Sequence, residues 1–231
     1  GYFWKLGLPY MWGPIGGANN SPWALVKHLP WKGRLKHIFR STANTLQMYT
    51  SYRVKKALQA TDVLLTATTE NQSKFHKLYG KESIYLPENC IDVEIRVNEE
   101  KYVRPATYNF IIVGRQDDRK NSKLFLRSLT YIKNKKNLHV DVVGDGPARA
   151  SLQEFASKNG LDDIITWHGQ LPRTKAVQLF NNAHIHVITS ISEGNTTVLW
   201  EAMSYGVPTL SLDHCGMHDT IDDESGIRIP I

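Results

Sequence analysis

From residue 107 onward the chain alternates short apolar runs with amphipathic stretches so regularly that few folds can hold it. The runs near 108–113, 138–143, 164–168, 184–189 and 208–212 are short and rich in β-branched residues, which predicts strands. Between them, 121–134, 147–159, 173–182 and 196–205 carry a helical period. A parallel crossover needs a dozen or more residues and is usually a helix, so strand and helix in alternation predict a parallel sheet wrapped by helices. Such sheets bind ligands outside the carboxyl ends of their strands, and the loops that follow those strands are therefore the places to look for chemistry.

The amino-terminal part carries the same alternation more sparsely. A strand at 8–12, a turn at Gly13–Gly17, a long helical stretch at 33–60, a strand at 62–67, a helix at 70–79 and a strand at 83–86 make half of a Rossmann-like domain. The polar stretch 97–106, which contains Pro105, separates the two apolar regions. The predicted organisation is a partial amino-terminal domain at 1–96, a linker at 97–106 and a carboxyl-terminal domain at 107–231.

Charge divides the chain in the same place. Residues 1–106 carry 15 Lys and Arg against 8 Asp and Glu, a net +7, whereas residues 107–231 net −1. An excess of that size suits an anionic lipid surface, a phosphate-linked acceptor, or solubility alone. The apolar runs are far shorter than the roughly 20 residues a membrane span takes. Scattered bases without a zinc-knuckle spacing or an aromatic-glycine signature argue against nucleic acid as partner. Cys90 and Cys215 form neither a metal nor a disulfide pattern, and no charged segment followed by an apolar one opens the chain. A cytoplasmic protein, with a peripheral place on the inner face of the membrane as its extension, is the expectation.

The most informative loop is Ser192-Glu193-Gly194-Asn195-Thr196-Thr197, which leads from an apolar strand into the helix Val198-Leu199-Trp200-Glu201-Ala202-Met203. The first turn of a helix leaves N–H groups unpaired and partly positive, so the amides of Asn195, Thr196 and Thr197 suit a phosphate. Glu193 and Glu201 bracket them, on the order of 12 Å apart if the whole interval were helical. Each carboxylate can accept from the hydroxyls of a diol, one on a sugar and one on a ribose, across a bound diphosphate.

This Glu-x7-Glu spacing resembles the donor-binding motif of retaining GT-B glycosyltransferases of family 4. Four further segments in the same order are similar to that family: Phe110–Arg115 followed by Lys120, Asp141–Pro147, Cys215–Ile221, and the junction Leu86-Pro87-Glu88-Asn89-Cys90-Ile91-Asp92. The weaker Trp12–Gly17 match extends the likeness toward the amino end. The resemblance implies an α/β protein of GT-B type, two Rossmann-like domains facing across a cleft, the amino-terminal one incomplete here and the carboxyl end cut short.

It also implies a reaction: retaining transfer of a sugar from a nucleotide-diphosphate sugar to a hydroxyl acceptor, in polysaccharide, lipopolysaccharide or glycolipid synthesis. Arg115 and Lys120 would neutralise the diphosphate as it leaves, and Glu193 would hold the transferred sugar. Glu201 would read the ribose. Gly114, Gly144, Gly146, Gly194, Asn195, Thr196, Thr197, Gly216 and Asp219 complete the expected donor site, the segment Gly216 to Asp219 as a loop. Gly16 and Gly17 fall on the acceptor or sugar side.

No metal and no cofactor is implied, since Arg, Lys and helix dipoles do the work of a cation. The expected partners are a nucleotide-sugar donor, a carbohydrate or lipid-linked acceptor and an anionic membrane surface. A non-catalytic nucleotide-sugar-binding fragment and a sugar-nucleotide epimerase on the same fold are the alternatives, and a shortened chain would bind donor without useful turnover. Two departures from the family stand out: Asn121 replaces the glycine after the lysine, and Cys90 replaces a glycine of the junction. His184 and His186 read as core histidines on a strand, and His218 as a surface residue rather than a base.

Overall fold

The computed structural model of the protein describes residues 2–90, 92 and 94–231. Ile91, part of the junction motif, lies outside them. The chain forms two compact units: the first takes residues up to Cys90 together with the returns Ser192–Thr196 and His214–Asp219, and the second takes the rest.

In the first unit, strand β1 (Met11–Ile15) is followed by a short helix α1 (Trp23–Val26), helices α2 (Trp31–Thr50) and α3 (Tyr52–Ala60), strand β2 (Val63–Thr66), helix α4 (Thr69–Tyr79) and strand β3 (Ile84–Tyr85). Among the described residues these strands make a three-stranded parallel sheet in the order β1-β2-β3. Its core gathers Ala18, Met48, Leu58, Leu64 and Phe75. Two sequence expectations shift. The strand expected at 8–12 runs at Met11–Ile15, through the Gly13-Pro14 peptide expected to turn. The single helix expected at 33–60 is two, because Ser51 turns extended and caps α3, its hydroxyl accepting from the Val54 amide. Serine competes with the helix for its own backbone, which makes it a better cap than interior residue.

The second unit continues with β4 (Tyr108–Val113), α5 (Ser122–Thr130), β5 (Leu138–Val143), α6 (Arg149–Lys158), β6 (Ile165–Gly169), α7 (Arg173–Gln178), β7 (Ile185–Ile188), α8 (Thr197–Ser204), β8 (Thr209–Leu212) and, after the first unit's return, which forms most of helix α9 (Cys215–Thr220), β9 (Gly226–Ile229). Among the described residues it holds a six-stranded sheet in the order β6-β5-β4-β7-β8-β9, every pair parallel. One face of α5 supplies Phe125, Leu126 and Leu129, which pack with Ile112, Val140, Val142, Leu152 and Val187. Burying each such side chain stabilises by about 1.5–3 kcal/mol. That clamps the sheet to its helices.

The segment 97–106, expected as a linker, is bonded into this second unit. It carries a short 3-10 turn at Glu99–Tyr102. The Lys101 ammonium donates to the carbonyls of Phe180 and Tyr205 (both 3.1 Å), and the Tyr102 hydroxyl to that of Gly206 (2.8 Å). Burial lowers the Lys101 ammonium to about 8. Residues Cys215–Thr220, expected as a loop, form helix α9, and β9 closes the sheet where the sequence shows no apolar run.

Candidate functional site

The order β6-β5-β4-β7-β8-β9 reverses between β4 and β7: from β4 the chain builds one way through β5 and β6, then crosses to β7 and builds the other way. The two loops that leave β4 and β7 at their carboxyl ends therefore diverge and open a crevice, the place where doubly wound sheets receive ligands. Here the crevice is narrow, a cavity of about 10 Å³, and is lined by Gly114, Gln116, Lys120, Ser122, Thr189 and Ser190, with Ile112, Val113, Val187 and Ile188 beneath.

The loop from β4 is held in shape by its own polar groups. Asp117 accepts from the Lys120 amide at 3.0 Å through Oδ1, and its Oδ2 lies 3.6 Å from Arg115 Nε. Gln116, buried to 1% exposure, donates to the Gly114 carbonyl (2.8 Å) and accepts from the Ser122 hydroxyl (2.8 Å). Asn121 stands at φ 52°, ψ 34°, the left-handed region that asparagine tolerates better than other residues with a β-carbon. That is how it can replace a glycine. The Thr189 hydroxyl donates to the Asn121 carbonyl at 3.0 Å, and the Ile191 amide to that of Arg119 at 2.7 Å, so the β7 loop is tied to the β4 loop. Lys120 is carried back over the turn: a β-carbon on Gly114 would stand 3.2 Å from its Cε and 3.5 Å from its Nζ. Arg115, on the same loop, is exposed.

Gly144 and Gly146 serve the neighbouring loop. Gly144 has φ 115°, and a β-carbon there would fall on the Gly114 carbonyl oxygen; one on Gly146 would fall on that of Gln116. The glycines let the β5 loop nest on the β4 loop. Asp145 between them accepts from the Gly146 amide (2.7 Å) and from Arg149 (3.1 Å), and these bonds, the amide first, hold its carboxyl below the usual range.

Glu201 lies elsewhere in the unit. It is buried on α8, and Arg173 at the start of α7 donates to it at 2.7 Å. The pair sits in a groove of about 340 Å³ shared with Arg96, Thr174, Gln178 and Tyr205. The interval between Glu193 and Glu201 is not helical throughout, as the 12 Å figure assumes: α8 begins at Thr197.

Glu193, Gly194, Asn195 and Thr196 belong to the first unit, as do Gly216 and Asp219. Asn195 and Asn89 exchange side-chain amide bonds to each other's backbone carbonyl (2.6 and 3.0 Å). Gly216 is packed so closely on Gly194 that a β-carbon would overlap the Gly194 carbonyl. Glu88 places its carboxylate beside both Gly16 and Gly194, whereas Gly17 faces open space. Asp219 accepts from the amide of Thr69 (2.9 Å) and from its hydroxyl, and so serves the first turn of α4.

Sequence reasoning passed over Gln116, Glu88 and Arg173. A glutamine two residues after a strand-ending glycine was the available signal for the first; the other two have none. Both strand histidines are buried, as expected, although the Nε2 of His186 has no hydrogen-bond partner among the described residues. His184 is bonded at both ring nitrogens, to the Asn109 amide and the Lys101 carbonyl. His186 is fully buried against Phe180, and desolvation followed by the Lys120 charge lowers it to about 3. Burial pushes the Cys215 thiol up to about 12, so it is an inert core group.

Residues 95–230 match the family described as glycosyl transferases group 1. The chain belongs to that family. It is 24% identical over 222 residues to Protein CapJ of Staphylococcus aureus, covering 95% of this chain and 53% of CapJ. It is 34% identical over 111 residues to a lipopolysaccharide 1,6-galactosyltransferase of Escherichia coli, covering 46% of this chain and 30% of that protein. The chain thus spans about half or less of the length of these relatives. Among solved structures it is similar to the pneumococcal O-GlcNAc transferase GtfA in complex with UDP and GlcNAc, with a TM-score of 0.63 and 20% identity over 79% of this chain and 36% of that one. The group 1 family member therefore has the α/β architecture with parallel sheets seen in GT-B glycosyltransferases. Among the described residues no helix is long and apolar enough to cross a membrane.

Proposed function

We propose that the protein is the donor-binding part of a retaining, family 4 glycosyltransferase that moves a sugar from a nucleotide-diphosphate sugar to a hydroxyl acceptor in polysaccharide, lipopolysaccharide or glycolipid synthesis. The observation that carries this reading is Lys120 folded over Gly114 at the β4/β7 reversal, on the same loop as exposed Arg115. Two cations carried on the β4 loop suit a diphosphate, and guanidinium can pair with it through two parallel bonds. The relative named for galactosyl transfer to lipopolysaccharide and the neighbour holding UDP and GlcNAc support the same class of donor.

In this reading the bond from the sugar's anomeric carbon to the diphosphate breaks with its electron pair on the departing phosphate oxygen. The acceptor hydroxyl bonds to the same face of the carbon, and its proton passes to a phosphate oxygen. Arg115 and Lys120 stabilise the charge that develops there, as fixed donors at a forming anion do. No metal is called on. Glu193 takes sugar hydroxyls and Glu201 the ribose; the amides at Asn195–Thr197 take phosphate. The acceptor is a carbohydrate or a lipid-linked carbohydrate, met by a cytoplasmic protein at an anionic membrane surface.

Incubation of a longer form of the protein with radiolabelled nucleotide sugars and hydroxyl acceptors tests the reading, since this chain by itself is expected to bind donor without useful turnover. Label transferred with retained anomeric configuration, unaffected by a chelator and lost in Lys120→Ala, is the expected result; inverted product or chelator-sensitive transfer would contradict it.

A further inference from the structure

Helix α2 presents two unlike faces. Gly33, His37 and Met48 turn inward, with Asn44 half-buried between them. The opposite face is apolar as well, which an ordinary surface helix is not. Trp31, Leu35, Phe39, Leu46 and Tyr49 recur at helical spacing along one outward stripe, and Phe39 is 78% exposed. At 20 residues the helix is roughly 30 Å long, so the stripe runs much farther than a scattered surface leucine would.

Charge decides what would cover it. Lys32, Lys36 and Arg40 line one border of the stripe, and Lys32 rests its ammonium 5.6 Å from the centre of the Trp31 ring. The helix contains no acidic residue; the chain has nine lysines and arginines before its first acid, Asp62. A second copy of this face would bring like charges together along the seam, which disfavours self-pairing. An anionic bilayer offers the complement of both features: phosphates for the basic border and an acyl boundary for the stripe. Trp31 and Tyr49 stand near the two ends, and such rings favour the headgroup level.

We propose that α2 docks on an anionic lipid bilayer, its outward stripe in the headgroup–acyl boundary and Lys32, Lys36 and Arg40 on the lipid phosphates. This extends the proposed membrane-side working place. Its test reads lipid binding with no donor present, so its failure leaves the transferase reading standing.

The test is co-sedimentation of the whole chain with vesicles of phosphatidylcholine, alone or mixed with phosphatidylglycerol, at low and high salt. Partitioning onto the anionic vesicles should exceed that onto neutral ones by about tenfold or more and collapse at high salt. A Leu35→Ser, Phe39→Ser double variant and a Lys36→Glu, Arg40→Glu double variant should each fall to the neutral-vesicle level with unchanged circular dichroism; the charge pair keeps the test decisive should the serine pair misfold. Equal binding to both vesicles, no binding, or binding indifferent to the variants would overturn the proposal. So would a concentration-dependent dimer, seen by ultracentrifugation without lipid and abolished by the same variants, since it would give the face to a second copy. Vesicle binding absent from a longer form of the protein would give the face to the added segment.

Discussion

The Nε–H of Arg173 donates to Oε1 of Glu201 at 2.7 Å, so the buried carboxylate assigned to the ribose is oriented by an exposed guanidinium on the neighbouring helix. A diol left without its acceptor stays partly desolvated, which costs about 1–3 kcal/mol. Glu201→Ala should therefore weaken nucleoside diphosphate and nucleotide sugar alike, by about tenfold. Glu193→Ala should weaken only the nucleotide sugar. Calorimetric titration with both ligands separates the two, and equal losses for both ligands in both variants would undo this division of roles.

Asp219 binds the amide and hydroxyl of Thr69, the first residue of α4. That amide is one of the donors a helix start leaves unpaired, and a carboxylate there also meets the positive end of the helix. Asp219→Ala should cost about 1–2 kcal/mol of stability, read as a lower urea midpoint at neutral pH. An unchanged midpoint would show that the contact contributes nothing.

Two left-handed or near-left-handed glycines should respond differently to alanine. Gly144 has φ 115° and no room, since its β-carbon would overlap the Gly114 carbonyl; Gly160 has φ 62° and nothing within 4 Å. Gly160→Ala should cost about 1 kcal/mol, from backbone preference alone. Gly144→Ala must also displace the β4 loop, and a loss of about 3 kcal/mol or more with weakened nucleotide binding is expected. Thermal melts of the two variants compare them directly.

His186 makes stability depend on pH in a defined direction. Its imidazole titrates near 3 in the fold against an ordinary value of 6.5, so between those values the unfolded chain binds a proton that the folded chain refuses. Stability from this residue is complete above about pH 6.5 and falls as the solution is acidified, by about 1.4 kcal/mol per pH unit. Relative to His186→Asn, the wild type should lose roughly 2–3 kcal/mol between pH 7 and 4.5. A gap that stays constant with pH would mean that the imidazole takes up its proton as readily in the fold as in the unfolded chain.

The second unit was legible because its strands are continuous apolar runs and its helices keep one period: β4 and β5 have the predicted bounds of 108–113 and 138–143. Edge strand β9 alternates exposed and half-buried residues over four positions, Gly226–Ile229, and leaves too short a pattern to read. Helix α9 opens on Cys215 and Gly216, a pair that reads as a turn, and only the packing of Gly216 on Gly194 explains the glycine. The break at Ser51 follows from one cap, which a long helical period hides. In the candidate site, the distance of Arg115 and Lys120 from a strand-ending glycine put them on the loop after β4, which is where the structure has them. Arg173 and Glu88 were not, because each acts through a partner far away in sequence, Glu201 on α8 in one case and Gly194 in the other.

On the proposed reading a nucleoside diphosphate binds at the β4/β7 reversal through Arg115 and Lys120. Calorimetric titration of the chain with uridine and guanosine diphosphates, in the wild type and in Arg115→Ala and Lys120→Ala, tests it most directly. Saturable binding in the wild type that weakens by about tenfold or more in each variant, a loss of about 1.5–3 kcal/mol, is the predicted result. Equal affinity in all three proteins, or none in the wild type, would contradict the account.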